Sequence, residues 1–357
     1  MFISRLMVEI DAIVAAAEAL RSENRDAVLA TVVRVRGSAY RRAGARMLLL
    51  ADGRRIGAIS GGCLEGDVCR KAWWLTSGGE PALRTYDTTS DAAAGEDAVR
   101  EFGLGCNGVV DVLLERISTD SVAQTLAFIK GCREHGDPGV VAHVIREAAL
   151  VSAHRFFTSS GGQPCDIQSR ETLLAGDSRF VAAENAEIFY EYVAPPADLI
   201  IFGSGYDVAP VVRFANALGW RVTVADARPA SLANRFPSAR VVGFDDVRIT
   251  ERSAVVLMTH NYAQDRDLLR NVLPAGAKYV GVLGPRHRTE HLFAGLGIST
   301  DWEFLHAPVG LDIGGDSPEL IALSIVSEIQ AALSGRDGGM LRGRPGPVYQ
   351  PLCELVS

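Results

Sequence analysis

Residues 198–226 read DLIIFGSGYDVAPVVRFANALGWRVTVAD. The stretch opens on a short apolar run of strand length, Leu199–Phe202, and turns at once through Gly203-Ser204-Gly205. Val208, Val211, Val212, Ala215 and Leu218 follow at spacings of three and four, the pattern of an amphipathic helix. Gly219 stands where a helix C-cap glycine belongs, and Val222–Ala225 forms a second strand that ends on Asp226. Strand, Gly-x-Gly, helix, strand and acid is the unit that takes dinucleotides. Its glycines let the backbone turn tightly and approach a phosphate. The helix N-terminus turns free N–H groups toward that phosphate, and the acid accepts hydrogen bonds from ribose hydroxyls. Val208 replaces the third glycine of the pattern, and Pro210 is tolerated because it falls in the first turn. The stretch reads as a Rossmann-type half that holds a nicotinamide cofactor, another phosphate-bearing ligand, or none.

Working outward, a chain of 357 residues suggests two domains. Its net charge of −7 argues against nucleic acid or an anionic membrane surface as the main partner. No apolar run reaches the roughly 20 residues of a membrane helix. The first residues, MFISRLMVEIDAIV, carry acids early and lack the unbroken apolar centre of a signal peptide. Cys63, Cys69, Cys106, Cys132, Cys165 and Cys353 are scattered without a C-x-x-C, which is neither a disulfide framework nor a zinc pattern. The expectation is a reduced, cytoplasmic protein.

Before the opening stretch, Leu6, Ile10, Ile13, Val14, Ala17 and Leu20 predict an amphipathic helix, and Asp26–Arg36 a valine-rich strand. Ala45–Ala51 and Arg55–Ile59 predict two strands joined at Asp52-Gly53. Ser60-Gly61-Gly62-Cys63 then leads into a helix through Cys69, Trp73 and Trp74. A thiol and backbone N–H groups at such a junction can hold an anion or act as soft ligands. On spacing alone the turn reads first as a tight bend with a buried cysteine packing as a small hydrophobe. Leu83–Tyr86 and Val109–Leu114 predict strands around the long polar loop Asp87–Gly108, which places Cys106 between glycines near its end. Val122–Cys132 predicts a helix and Val140–Ile145 a strand, and Val151–Ala194 reads as irregular and β-rich.

Ala194-Pro195-Pro196-Ala197 is the most linker-like tetrapeptide. The expected architecture is α/β: an N-terminal α+β domain over residues 1–194, then a Rossmann-like, doubly wound parallel-sheet domain over 195–357 with a Gly/Pro/Arg-rich tail. In that second domain Ala254–Met258 and Tyr279–Leu283 predict strands, and Ser317–Leu333 a helix. Polar clusters follow the strands, and in an open parallel sheet such ends share one edge. Gly203, Gly205, Asp226, Thr259, His260, Asn261, Arg286, His287 and Asp312 are therefore expected to converge there.

Several motifs occur together and in order. They are Gly37–Met47 (GSAYRRAGARM), Ile59–Glu65 (ISGGCLE), Leu104–Gly108 (LGCNG), Phe202–Gly205 (FGSG), Met258–Asn261 (MTHN), Leu283–Arg286 (LGPR) and Ala307–Gly314 (APVGLDIG). In them the chain resembles the XdhC/CoxI family, the xanthine dehydrogenase accessory proteins, nearly end to end. The resemblance implies a chaperone that binds the molybdenum cofactor, meaning molybdopterin or its nucleotide form. It implies protection of that cofactor during sulfuration by a cysteine desulfurase, delivery to a molybdenum hydroxylase apoenzyme, and a homodimer. With it, Ser60, Gly61, Gly62, Glu65, Cys106 and Tyr206 join the candidate binding residues, with Cys63 as the candidate molybdenum contact through the cofactor. Tyr206 stands where the family often has His, and Asn107 where it often has Gly. The alternative from another class is an NAD(P)-dependent oxidoreductase built on Gly203, Gly205 and Asp226. Between the thiols, Cys63 is expected to matter more than Cys106, and Cys69 to be inert.

Overall fold

The computed structural model describes residues 8–87, 108–148, 150–298, 302–345, 348 and 352–356. It divides into two units, with the division between Pro195 and Pro196.

The first unit starts with α1 (Glu9–Ser22), which buries Ile13, Val14, Ala17 and Leu20 along one stripe. Five antiparallel strands follow: β1 (Ala27–Gly37), β2 (Arg46–Leu50), β3 (Arg55–Gly57), β4 (Ala82–Asp87) and β5 (Gly108–Arg116), in the order β3-β2-β1-β5-β4. Strand alternation sorts their side chains. Val28, Ala30, Val32, Met47 and Leu49 meet α2 (Glu65–Leu75) on one face, and Ala27, Leu29, Leu48 and Leu50 meet α1 on the other. Next come α3 (Asp120–His135), β6 (Gly139–Glu147), β7 (Leu150–Val151), β8 (Arg155–Ser159), α4 (Ile167–Ala175), β9 (Arg179–Ala183) and β10 (Ala186–Val193). These strands form a second sheet, and the segment read from sequence as irregular thus contains a helix. Helix α4 is capped by Asp166, which accepts from Ser169 N, but its buried positions are Ser169 and Thr172. A helix whose inner face is polar leaves no apolar period to read.

Between the two sheets lies a set of charges removed from water. Arg46 donates through both terminal nitrogens to the Glu191 carboxylate, each at 2.6 Å, and also to Gly44 O at 2.9 Å. His143 Nε2 lies 2.8 Å from Glu191 Oε2. The carboxylate can only accept, so the neutral ring donates through Nε2 and leaves Nδ1 buried without a partner. Arg155 donates to Glu115 at 2.7 Å. Burial pushes the His143 imidazole down to about 4, and the nearby Arg155 charge adds to the fall. Burial also opposes a charged Glu191, but the Arg46 guanidinium outweighs it and holds that carboxyl down to about 2.

The second unit is a six-stranded parallel sheet. Its strands are β11 (Asp198–Phe202), β12 (Arg221–Ala225), β13 (Arg240–Val242), β14 (Ser253–Leu257), β15 (Tyr279–Val282) and β16 (Leu305–His306), in the order β13-β12-β11-β14-β15-β16. This is the doubly wound order, and it reverses between β11 and β14. Helices α5 (Val208–Ala217) and α8 (Pro318–Leu333) cover one face over Leu199 and Ile201. Helices α6 (Tyr262–Val272) and α7 (Arg286–Leu296) cover the other over Ile200 and Phe202. No described helix is long and apolar enough to cross a membrane.

The sequence reading carries the second domain to residue 357, and here the structure differs. The last strand, β17 (Cys353–Val356), pairs in parallel with β9 and joins the first unit's second sheet. Leu352 and Leu355 pack into that unit's apolar clusters, and Arg34 donates to Glu354 at 3.0 Å. These contacts give the tail a reason to return.

Candidate functional site

At the reversal point of the parallel sheet, Gly203 holds φ +115, and a side chain there would run into the Met258 carbonyl oxygen of the neighbouring strand end. Only glycine lets the two strand ends approach so closely. Ser204 Oγ donates to Asp226 Oδ2 at 2.7 Å, tying the turn to the end of β12. The other Asp226 oxygen accepts from Arg228 N at 2.9 Å. Beyond Gly205, Tyr206 is 79% exposed, and Asp207 precedes α5. His260, after β14, reaches Asp207 with Nε2 2.9 Å from Oδ2. Arg235 donates to Gly205 O at 2.9 Å from the opposite flank.

One strand further out, Asn261 caps α6 by accepting from Gln264 N at 3.1 Å. Thr259 Oγ1 donates to Asp265 Oδ1 at 2.6 Å, and Arg288 donates to the other oxygen of Asp265 at 2.7 Å. Asp265 is buried and fastens the residues after β14 to α7, which begins just beyond β15. Arg286 is the exposed first residue of α7, and Asp312 is exposed in the loop between β16 and α8. Gly203, Gly205, Asp226, Thr259, His260 and Asn261 thus gather at the reversal point, while Arg286 and Asp312 follow β15 and β16, further along the same edge. Sequence reasoning missed Asp207, Arg235 and Asp265. An acid in the first turn of a helix is ordinary, and only its burial marks Asp265.

In the first unit, the turn after β3 is built on Ser60. Its hydroxyl donates to Glu65 Oε2 and accepts from Gly62 N at 3.2 Å and Leu64 N at 3.1 Å. The Cys63 thiol lies 3.4 Å from the same oxygen. Glu65 Oε1 also accepts from Ser60 N at 2.7 Å and Ile59 N at 3.1 Å. Burial penalises this carboxylate, yet donors from Ser60, its own backbone and Ile59 hold its pKa below the usual range. Glu65 therefore fills, from within the chain, part of the anion seat that the sequence offers to a ligand. A Cβ on Gly61 would lie 3.6 Å from the exposed Tyr40 ring, which brings the Gly37–Met47 motif beside the Ser60–Cys63 turn. Burial pushes the Cys69 thiol up. Cys106 lies outside the described residues.

Residues 199–329 match the XdhC Rossmann domain, and residues 6–87 match the XdhC and CoxI family. The chain is 33% identical to a probable xanthine dehydrogenase subunit from Bacillus subtilis (strain 168), over 87% of this chain and 94% of that protein. It is 26% identical to the molybdenum cofactor insertion chaperone PaoD of Escherichia coli (strain K12), over 88% of this chain and 85% of that one. A crystal structure described as a xanthine dehydrogenase from Bacillus halodurans superposes with a TM-score of 0.72 at 29% identity, over 95% of this chain and 98% of that one.

Proposed function

This chain belongs to the XdhC and CoxI family, and on that premise we propose that it binds the molybdenum cofactor and inserts it into a molybdenum hydroxylase of the xanthine dehydrogenase type. The observation that carries the reading is the glycine turn at the sheet's reversal point, flanked by Arg235 and His260. Backbone N–H groups, a guanidinium and an imidazole suit a phosphate, and molybdopterin bears one. The first unit carries, by itself, a separate candidate: the half-buried Cys63 thiol is a soft donor of the kind that would suit molybdenum. When bound, the cargo would bring a redox metal that the protein has only to hold, orient and release.

The finer proposal is that the protein shelters this cargo while a cysteine desulfurase acts on it, and that it works as a cytoplasmic homodimer. Protein purified from cells with an intact cofactor pathway should carry molybdopterin, read as its fluorescent oxidation product. If none copurifies, and none binds when supplied anaerobically, the proposal fails. Cys63→Ser keeps the size of the side chain but loses soft ligation, so most bound molybdenum should be lost while folding is retained. Full loading of that variant would make the thiol structural.

A second reading, an NAD(P)-dependent oxidoreductase, draws on Asp226, which stands at the end of β12 where ribose hydroxyls are bound. It requires micromolar NAD binding together with turnover of an alcohol or aldehyde.

A further inference from the structure

Beside the Gly-x-Gly turn stands an anion that belongs to the chain itself. Both carboxylate oxygens of Asp207 lie within hydrogen-bond distance of His260 Nε2, at 2.9 and 3.1 Å. His260 adopts φ +57, a left-handed conformation uncommon outside glycine. A Cβ built on Gly205 would sit 2.5 Å from Asp207 Oδ1 and 3.1 Å from the His260 ring. Carboxylate and imidazole therefore both press on the glycine whose bare backbone a phosphate has to approach. Arg235 stands on the other side of the same residue, bound to its carbonyl.

We infer that Asp207 is a resident anion at the phosphate seat, and that a phosphate-bearing ligand binds by displacing it from His260. The inference rests on the reading of this crevice as a phosphate site. A carboxylate and a phosphate compete for the same His260 donor, so the ligand enters by taking the place of Asp207 there, and the displaced carboxylate stays nearby as a like charge. The exchange takes place on the imidazole, which is open to water: the His260 side chain is 58% exposed, against 15% for Asp207, so an incoming ligand reaches the ring from solvent. It also discriminates by strength, since a phosphate offers His260 a charged acceptor and a neutral ligand only a weaker one.

The consequence is that removing a charged residue from the site strengthens binding. A like charge about 5 Å from the phosphate in a watery setting is a three- to tenfold penalty on affinity. Asp207→Asn keeps the shape and removes the charge, so it should bind phosphate ligands about three- to tenfold more tightly than the wild type. The gain should shrink as salt screens the repulsion. His260→Ala, which removes the donor handed to the phosphate, should bind about tenfold more weakly.

The test is calorimetry on the full chain with inorganic pyrophosphate, adenosine 5′-diphosphate and cytidine 5′-diphosphate, at low and high salt. Asp207→Ser takes the place of the amide variant if that one does not fold. A salt-sensitive gain in the Asp207 variant, with a loss in His260→Ala, supports the exchange. If the wild type binds and the Asp207 variant binds equally or more weakly, the resident anion is ruled out while the phosphate crevice stands. If neither the wild type nor any variant binds any of the three probes, the phosphate reading falls and the inference falls with it.

Discussion

The two units contain the same kinds of charged side chain in opposite surroundings. Between the sheets of the first, Arg46, Glu191 and His143 are sealed from water. At the open edge of the second, His260 pairs with Asp207 in contact with solvent. A carboxylate against an imidazole is common to both, at 2.8 Å in one and 2.9 Å in the other. Burial makes the difference. Removing one member of the sealed set strands a charge in a medium that cannot solvate it, so that set is structural. In the second pair the imidazole is open to solvent and can trade partners with water or ligand at little cost, so it is free to serve binding.

Three experiments can break or sharpen this contrast. The largest effect is expected from Glu191→Ala, which leaves Arg46 charged, buried and unpaired; it should cost about 3–5 kcal/mol of stability in denaturant titration. A loss under about 1 kcal/mol would mean that the network is hydrated and the contrast false.

Next comes acid. The His143 ring titrates near 6.5 when unfolded and is held down to about 4 when folded. Between those values the unfolded chain binds the extra proton, so stability is full above about 6.5 and drains away as pH falls toward 4, by on the order of 3 kcal/mol. Glu191, held down to about 2, adds a loss in the same direction below its ordinary value of 4.5. Glu115, raised by burial against the pull of Arg155, works the other way and blunts the fall. In His143→Gln the slope between pH 6.5 and 4 should flatten; an unchanged slope would assign the acid loss to other groups. The smallest effect belongs to the exposed pair: Asp207→Asn should change stability by less than about 1 kcal/mol. A larger loss would make the clasp structural after all.

Much of the second unit could be read from sequence because its logic is local. Leu199–Phe202, the glycine turn, the spaced valines and Asp226 are neighbours in the chain, and each strand end carries its own polar motif. What escaped was set by pairing across distance. Asp207 and His260 sit 53 residues apart in sequence, and Arg46 and Glu191 145 apart. No spacing rule joins such partners. A weak signal did exist: His143 interrupts the apolar run Val140–Ile145, and Glu191 stands between Tyr190 and Tyr192. A lone polar residue inside a strand-like apolar run asks for a buried partner. Strand β13 was missed because its three residues are too few to show alternation.

The closing strand β17 has a consequence for biosynthesis. Residues 9–195 leave the ribosome long before residues 353–356 are made, so the β9 edge is exposed through the whole synthesis of the second unit. Unpaired strand edges are where nascent chains cross-pair. Charged side chains of both signs stand there, Arg179 on β9 paired with Glu171 at 2.7 Å and Arg34 with Glu187 at 3.8 Å, and such charges blunt an open edge until Glu354 arrives to bind Arg34.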